Sequence, residues 1–523
     1  MAGPLPVLIG LDVGTTAAKV AAFEVADATG AGRSATAVGA AAAEALREYR
    51  LEQPHPGWQV QDPAAILAAI DAALADVVAS LDGRRILGVS VSTAMHGLIG
   101  LGADSVPLTP LITWADARSA PQARELRAAG RGAELLRLTG TPVHPMSPLV
   151  KLRWLGRHEP DLVARARWWI GLKDLVLEHL TGHLVTELSS ASATGLFDVH
   201  SRAWSPEALA LAGISADQLP EVLPTTATLP LAAEVADATG LTAGLPVAVG
   251  AADGPLGNLG TGAITPGIAG LSLGTSGAVR MAVNGPVTDD AGRLFCYALT
   301  EDLWVLGGAV SNGGITLRWA GETFTPDLLT HGHADTELLA LATQVPAGAD
   351  GLVMLPYVLS ERAPLWDPDL TGAFLGVRHH HGRAHFLRAA VEGVCLQVAT
   401  IVDLLDATAP VRAVRATGGP FRAQLWRQVM AATIGRPFAI ASDAGGTALG
   451  AAALGWYALD GAADLATALQ AVGGPGGEGG VDGGTQVPVS ADLVAGYATR
   501  RSRLPELIRS LAEVADVFEN ARP

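Results

Sequence analysis

The chain has 523 residues and a formal net charge of −16, with 49% hydrophobic and 16% charged residues. It is too apolar for a disordered protein and long enough for two or more domains. The acidic balance, with no basic face or tail, excludes a general nucleic-acid binder.

The start, MAGPLPVLIGLDVGTT, carries no basic leader, and Asp12 interrupts its apolar run, so no secretory signal is expected. VLIGLDV reads as a strand, GTT as a tight turn and AKVAAFEV as a returning strand. Residues 63–81 have helical spacing, with Asp62-Pro63 as cap and first turn. ILGVSVS (86–92) reads as a buried strand, and helical stretches follow near 120–138, 147–157 and 171–181. PVAVGAAD (246–253) is a buried strand ending in a carboxylate. IAGLSLGTSGAVRMAV (268–283) is again strand, turn, strand. Beyond it, 303–310 and 352–358 read as strands and 312–320 and 384–406 as helices. VRATGG (414–419) reads as a strand entering a turn. GGPGGEGGVDGGT (473–485) reads as a linker or surface loop, and 490–516 as an amphipathic helix. No apolar run reaches the roughly 18 uninterrupted residues of a membrane span, so no membrane partner is expected. Cys296 and Cys395 cannot make a disulfide framework and lack metal spacing, so a reducing cytoplasm is the expected location.

A weak internal repeat is visible. GLDVGTTAAKV (10–20) aligns without a gap to GLSLGTSGAVR (270–280). Asp12 falls over Ser272, Gly14 over Gly274, Thr15 over Thr275 and Thr16 over Ser276. Two ordinary hairpins would give the same pattern; a duplicated domain is the sharper reading.

Several clusters carry chemistry. In DVGTTAAK, Gly14 allows close backbone approach, and Thr15, Thr16 and the turn N–H groups can cradle phosphate oxygens. Asp12 can hold Mg2+, usually through water, and Lys19 can pair with phosphate or buttress Asp12. The Walker pattern is absent. GTSG (Gly274, Thr275, Ser276) is a second phosphate turn, and Gly418-Gly419 a third Gly-rich turn, opening toward a helix N-terminus. Asp253 lies just past a buried strand, where ligand clefts of α/β folds sit; it can act as a general base, or simply cap the next helix. Met95, His96 and Gly97, then Trp114, Asp116 and Arg118, then His144 and Lys151 suggest a polyol pocket. The His379–His381 run lacks acidic partners and reads as a solvated loop. Of the 35 basic residues, only Lys19, Lys151 and Lys173 are lysines, and all three fall inside these segments.

Together these residues resemble the FGGY carbohydrate kinase family, from about residue 7 to 460. MSPLVKLRWLGRH (146–158) looks like its first signature and GAFLGVRHHHGRAHFLRAAVE (372–392) like its second. The resemblance implies an α/β sugar-kinase fold, with two actin-like, ribonuclease H-like ATPase domains and the active-site cleft between them. The expected domains are 1–262, sugar-binding, and 263–523, nucleotide-binding and including the 473–485 loop and the terminal helix. It implies phosphoryl transfer from ATP with Mg2+, Asp253 as base and Asp12 positioning the ion. Thr15, Thr16 and Thr275 would contact phosphates, with Gly313 and Gly314 joining the nucleotide set, and Gly418 and Gly419 the adenine site. Met95, His96, Gly97, Trp114 and Asp116 would line the sugar site. HPMSPL, WWIGLKD and ERAPLWDP look most like members that act on gluconate, with a pentulose as the alternative substrate. A non-enzymatic actin-like sugar sensor is disfavoured because Asp12 and Asp253 are both present. A sugar acid needs a cation or donor, for which His96, Arg118, His144 and Lys151 are candidates, Lys151 first. Two departures stand out: Gly445 where Glu often precedes ALGAA, and Ser360 in place of Gly before Glu361-Arg362. Family members are often dimers, so a homodimer is an expected assembly.

Overall fold

The computed structural model describes residues 4–26, 39–330, 334–359, 361–367, 369–441, 445–475 and 484–519. Ser360, Asp443, Ala444 and residues 476–483 of the Gly-rich stretch lie outside them.

The chain forms two units. The first comprises 1–266, 282–306 and 442–478, and the second 267–281, 307–441 and 479–523. The chain passes from the first unit to the second between Pro266 and Gly267, and residues 282–306 and 442–478 group with the first again. Within 442–478, the helix Gly446–Ala458 covers the face of the first sheet opposite the helix Pro63–Ser80, since a sheet with two apolar faces needs a cover on each.

In the first unit, β1 (Val7–Val13), β2 (Ala17–Glu24), β3 (Ala43–Glu48), β4 (Ile86–Thr93), β5 (Thr228–Pro230) and β6 (Pro246–Ala252) form one sheet. The order is β5-β6-β4-β1-β2-β3. β1 pairs antiparallel with β2 and parallel with β4, and β6 parallel with β4. Side chains alternate across the sheet. Val7, Ile9, Leu11 and Val13 enter one core with α1 (Pro63–Ser80), whereas Leu8, Ala21 and Phe23 enter a second with the helix Gly446–Ala458. A Cβ at Gly10 would lie 2.0 Å from the Ala448 carbonyl oxygen, so helix and strand meet backbone to backbone.

Asp62 caps α1 through the Ala64 N–H, as expected. By length and composition α1 is apolar enough to cross a membrane, which the count of uninterrupted apolar residues had not flagged. Here its buried face of Ile66, Ile70, Ala73, Leu74 and Val77 covers the sheet, and Asp71 on its other side pairs with His179.

The second sheet holds β7 (Ile268–Leu273), β8 (Gly277–Asn284), β9 (Leu303–Val310), β10 (Ala413–Thr417), β11 (Phe438–Ile440) and β12 (Thr485–Gln486) in the order β9-β8-β7-β10-β11-β12, with Phe295–Ala298 at the edge beyond β9. β7 is antiparallel to β8 and parallel to β10, β10 is parallel to β11, and β12 closes the edge antiparallel. The topology repeats that of the first unit, which supports duplication. The hairpins differ by one residue. Asp12 pairs with Lys19, but Ser272 pairs with Ala278 rather than Val279. The ungapped alignment therefore slips inside the turn. The expected strand at 352–358 shrinks to Val353–Leu355.

Candidate active site

The first-unit hairpin turn is held from outside by side chains. The Tyr49 hydroxyl donates to the Gly14 carbonyl (2.6 Å), the Gln61 amide to the Thr15 carbonyl (2.6 Å) and the Trp114 indole N–H to the Thr15 hydroxyl (2.8 Å). Trp114, expected on the sugar side, thus reaches the phosphate turn. None of the sequence patterns pointed to Tyr49 or Gln61; a tyrosine just past β3 was their only signal.

Asp12, at the end of β1, is paired in register with Ser92 on β4, whose hydroxyl donates to it (2.9 Å). Burial, and next the charge of Asp253, push its pKa from 3.8 up to about 7, against the pull of Ser92, Lys19 and Lys173. Asp253 follows β6 directly as the first residue of the helix Asp253–Gly260. The two carboxylates therefore leave strands flanking β4 on either side, near enough to repel. Ser92 was legible as a polar residue in a buried apolar run.

The three lysines part ways. Lys19 is partly exposed and pairs with Glu44 at 3.4 Å. Lys151, on the helix Pro148–His158, is 1% exposed, and its ammonium donates to the carbonyls of His96 (2.6 Å) and Ile112 (3.2 Å). Burial lowers its pKa from 10.5 to about 7. Two of its three donors thus hold backbone carbonyls. Lys173, on the helix Leu172–Thr181, is also 1% exposed and donates to the carbonyls of Val91, Val249 (2.8 Å) and Ala251 (3.1 Å). Burial pulls its pKa down while Glu187 and Asp174 oppose that pull; burial likewise pushes Glu187 up.

Asp116 and Arg118 satisfy each other in a bidentate pair (2.9 and 2.8 Å), and the guanidinium lies 3.5 Å above the Trp58 ring. Asp116 also accepts from the backbone N–H groups of Gln59 and Arg118. Both residues brace the loop, so Arg118 is committed as firmly as Lys151. His96 takes a left-handed conformation (φ 63°), hydrogen-bonds the Ala193 carbonyl through Nδ1 (2.7 Å) and meets Tyr297 edge-on. Met95, His96 and Gly97 line a cavity with Asp174, Thr186 and Ser190. His144 is buried, its Nδ1 accepting from the Met146 N–H.

In the second unit, Gly274, Thr275, Gly314 and Gly419 line one cavity of about 720 Å3 with Arg318, Arg422 and Trp426. That volume suits a nucleotide-sized ligand. The turn here is held by backbone. The N–H groups of Gly313, Gly314 and Ile315, opening the helix Gly314–Phe324, donate to the carbonyls of Thr275, Gly274 and Thr275. Gly313 and Gly314 thus shape the turn rather than offering these N–H groups to phosphate. Gly418 sits at φ 119°, and a Cβ there would lie 1.9 Å from the Leu273 carbonyl oxygen. His379 and His380 are exposed and His381 is half-buried, and among the described residues no group of His, Cys, Asp and Glu could by itself cage a metal.

Paired carboxylates at strand ends and a Gly-walled cavity in an α/β architecture of two similar sheets are the features of a carbohydrate phosphotransferase. The chain matches the FGGY family of carbohydrate kinases, N-terminal domain over residues 7–260 and C-terminal domain over 269–459, and belongs to that family. It is 37% identical to the gluconokinase of Bacillus licheniformis over 462 residues, 86% of this chain and 87% of that one. Its structure is similar to the gluconate kinase from Lactobacillus acidophilus, with TM-score 0.88, 31% identity, and 98% and 100% of the chains covered. The ligand-bound xylulose kinase from the same organism gives the same values.

Proposed function

We propose that the chain transfers the γ-phosphoryl group of ATP to the terminal O6 hydroxyl of D-gluconate, giving 6-phosphogluconate and ADP. The observation that carries the sugar-acid reading is the 37% identity to gluconokinase across 86% of the chain. In this reading Asp253 takes the hydroxyl proton as O6 forms its bond to the γ-phosphorus. The bond to the bridging oxygen breaks, and ADP leaves with its electron pair. Little covalent work falls to the protein, so positioning and charge carry the rate. The Gly14–Thr16 and Gly274–Ser276 turns supply phosphate contacts, and the cavity walled by Gly419 and Trp426 takes the nucleotide.

The residues fit a Mg2+ ion. Asp12 is a buried carboxylate beside a second carboxylate, and the repulsion is relieved by a cation. Asp12 would hold the ion through water, and bound Mg2+ would neutralise charge on the phosphates. With Lys151 and Arg118 committed to protein partners, His96 and His144 are the remaining candidates for the substrate carboxylate.

A pentulose substrate is the second reading, favoured by the equal structural likeness to a xylulose kinase. A coupled ADP-release assay across D-gluconate, D-xylulose, L-ribulose and glycerol separates the two. Gluconate should lead in kcat/KM by about tenfold or more. Preference for D-xylulose replaces the gluconate reading, and no turnover on any of the four removes both.

A further inference from the structure

β6 carries one residue too many. Val247 and Ala248 pair with Val89 and Ser90, yet Ala251 and Ala252 pair with Ser92 and Thr93. One extra residue on one strand is a bulge, and it reverses which face every later residue points to. The next residue after the strand is Asp253. Gly250 lies inside the bulge at φ 72°, where a Cβ would sit 1.9 Å from the Val91 carbonyl oxygen.

A bulge leaves backbone groups outside the ladder, and buried ones must find partners. Here they converge on two side chains. The Lys173 ammonium takes the carbonyls of Val249 and Ala251 on the bulged strand and of Val91 on its neighbour. The Ser189 hydroxyl accepts the Ala252 N–H at 3.2 Å. Glu187 in turn fixes Ser189 by accepting its N–H, and caps the short helix Leu188–Ser192. A lysine ammonium offers three donors from one compact centre, which a planar guanidinium cannot arrange in this space.

We propose that Lys173 is a positioning residue, which with Ser189 braces the bulge in β6 and so sets the direction in which Asp253 is presented. The activity part of this rests on the reading of Asp253 as the base. Lys173→Met keeps the side-chain bulk and removes all three donors. Its kcat should fall about 100-fold, with the KM for ATP unchanged. Hydrogen–deuterium exchange across 246–253 should quicken. Ser189→Ala is milder and should lower kcat about tenfold, again with the KM for ATP unchanged. A folded Lys173→Met with native kcat, or a loss confined to KM, overturns the proposal. Native exchange protection across 246–253 in either variant does so too. If Lys173→Met does not fold, Ser189→Ala decides alone. The exchange measurement needs no sugar, so a wild-type chain that phosphorylates nothing counts against the kinase reading while the brace is still judged by exchange.

Discussion

The two hairpin turns share a topology and differ in what grips them. Tyr49, Gln61 and Trp114 hold the Gly14–Thr16 turn with side chains, and acids stand at the neighbouring strand ends. The Gly274–Ser276 turn is held by N–H groups at a helix start, and Ser272 and Thr417 occupy the places of Asp12 and Ser92. Carboxylates repel phosphate unless a cation intervenes; in the second cavity Asp335 lines the wall together with the cations of Arg318 and Arg422. Duplication thus gave two frames, and substitution at a few strand ends separated the acidic chemistry of one from the anion-tolerant cavity of the other.

The largest expected effect falls on the acidic copy. Asp253→Asn should lower kcat by about 10^3-fold or more while calorimetry shows ATP still bound. Retained turnover would remove Asp253 from the base role and erase the contrast.

On the backbone-held copy, Gly418→Ala places a Cβ against the Leu273 carbonyl at a backbone angle other residues rarely adopt. It should cost about 2 kcal/mol or more of stability, read by denaturant unfolding, and weaken ATP binding. Native stability and binding would mean that the backbone at Gly418 accommodates a side chain.

Asp12 gives a signed pH test. A carboxyl raised from 3.8 to about 7 takes up a proton on folding within that window, so its contribution to stability is lost as pH climbs from about 4 to 7. Without nucleotide or divalent cation, Asp12→Asn should therefore raise the melting temperature at pH 8 and change it little at pH 4. It should also reduce kcat by about 10^2-fold. An unchanged melting temperature at pH 8 would show that Asp12 is not strained by its neighbours.

The smallest effect separates the lysines. Lys19→Arg keeps a partly exposed ion pair and should stay within about twofold of native kcat and KM. Lys151→Arg must fit a guanidinium where one ammonium meets two carbonyls and should lose about tenfold in the KM for the sugar. Equal effects at both positions would dissolve the distinction.

The sequence made the hairpins, the Asp62 cap and the strand-end Asp253 legible, because each is written in residues adjacent along the chain. The one-residue slip between hairpins was not legible, since Thr15-Thr16 and Thr275-Ser276 look alike until pairing partners are known. The scarcity of lysines marks all three, but nothing local reveals that the Lys151 ammonium reaches carbonyls 55 and 39 positions away. The bulge in β6 was hidden for the same reason, with Gly250 in an otherwise plain apolar run as its only mark.

The close meeting of Gly10 with Ala448 bears on how the protein is made. The strand Val7–Val13 is covered on one face by a helix that ends at residue 458. Leu8 and Phe23 therefore wait for Leu449 and Leu454, which share their core, until the helix Gly446–Ala458 has been made. A nascent chain ending near residue 262 has its first sheet built and half its packing missing. It is a natural client for chaperones and a poor fragment to express alone.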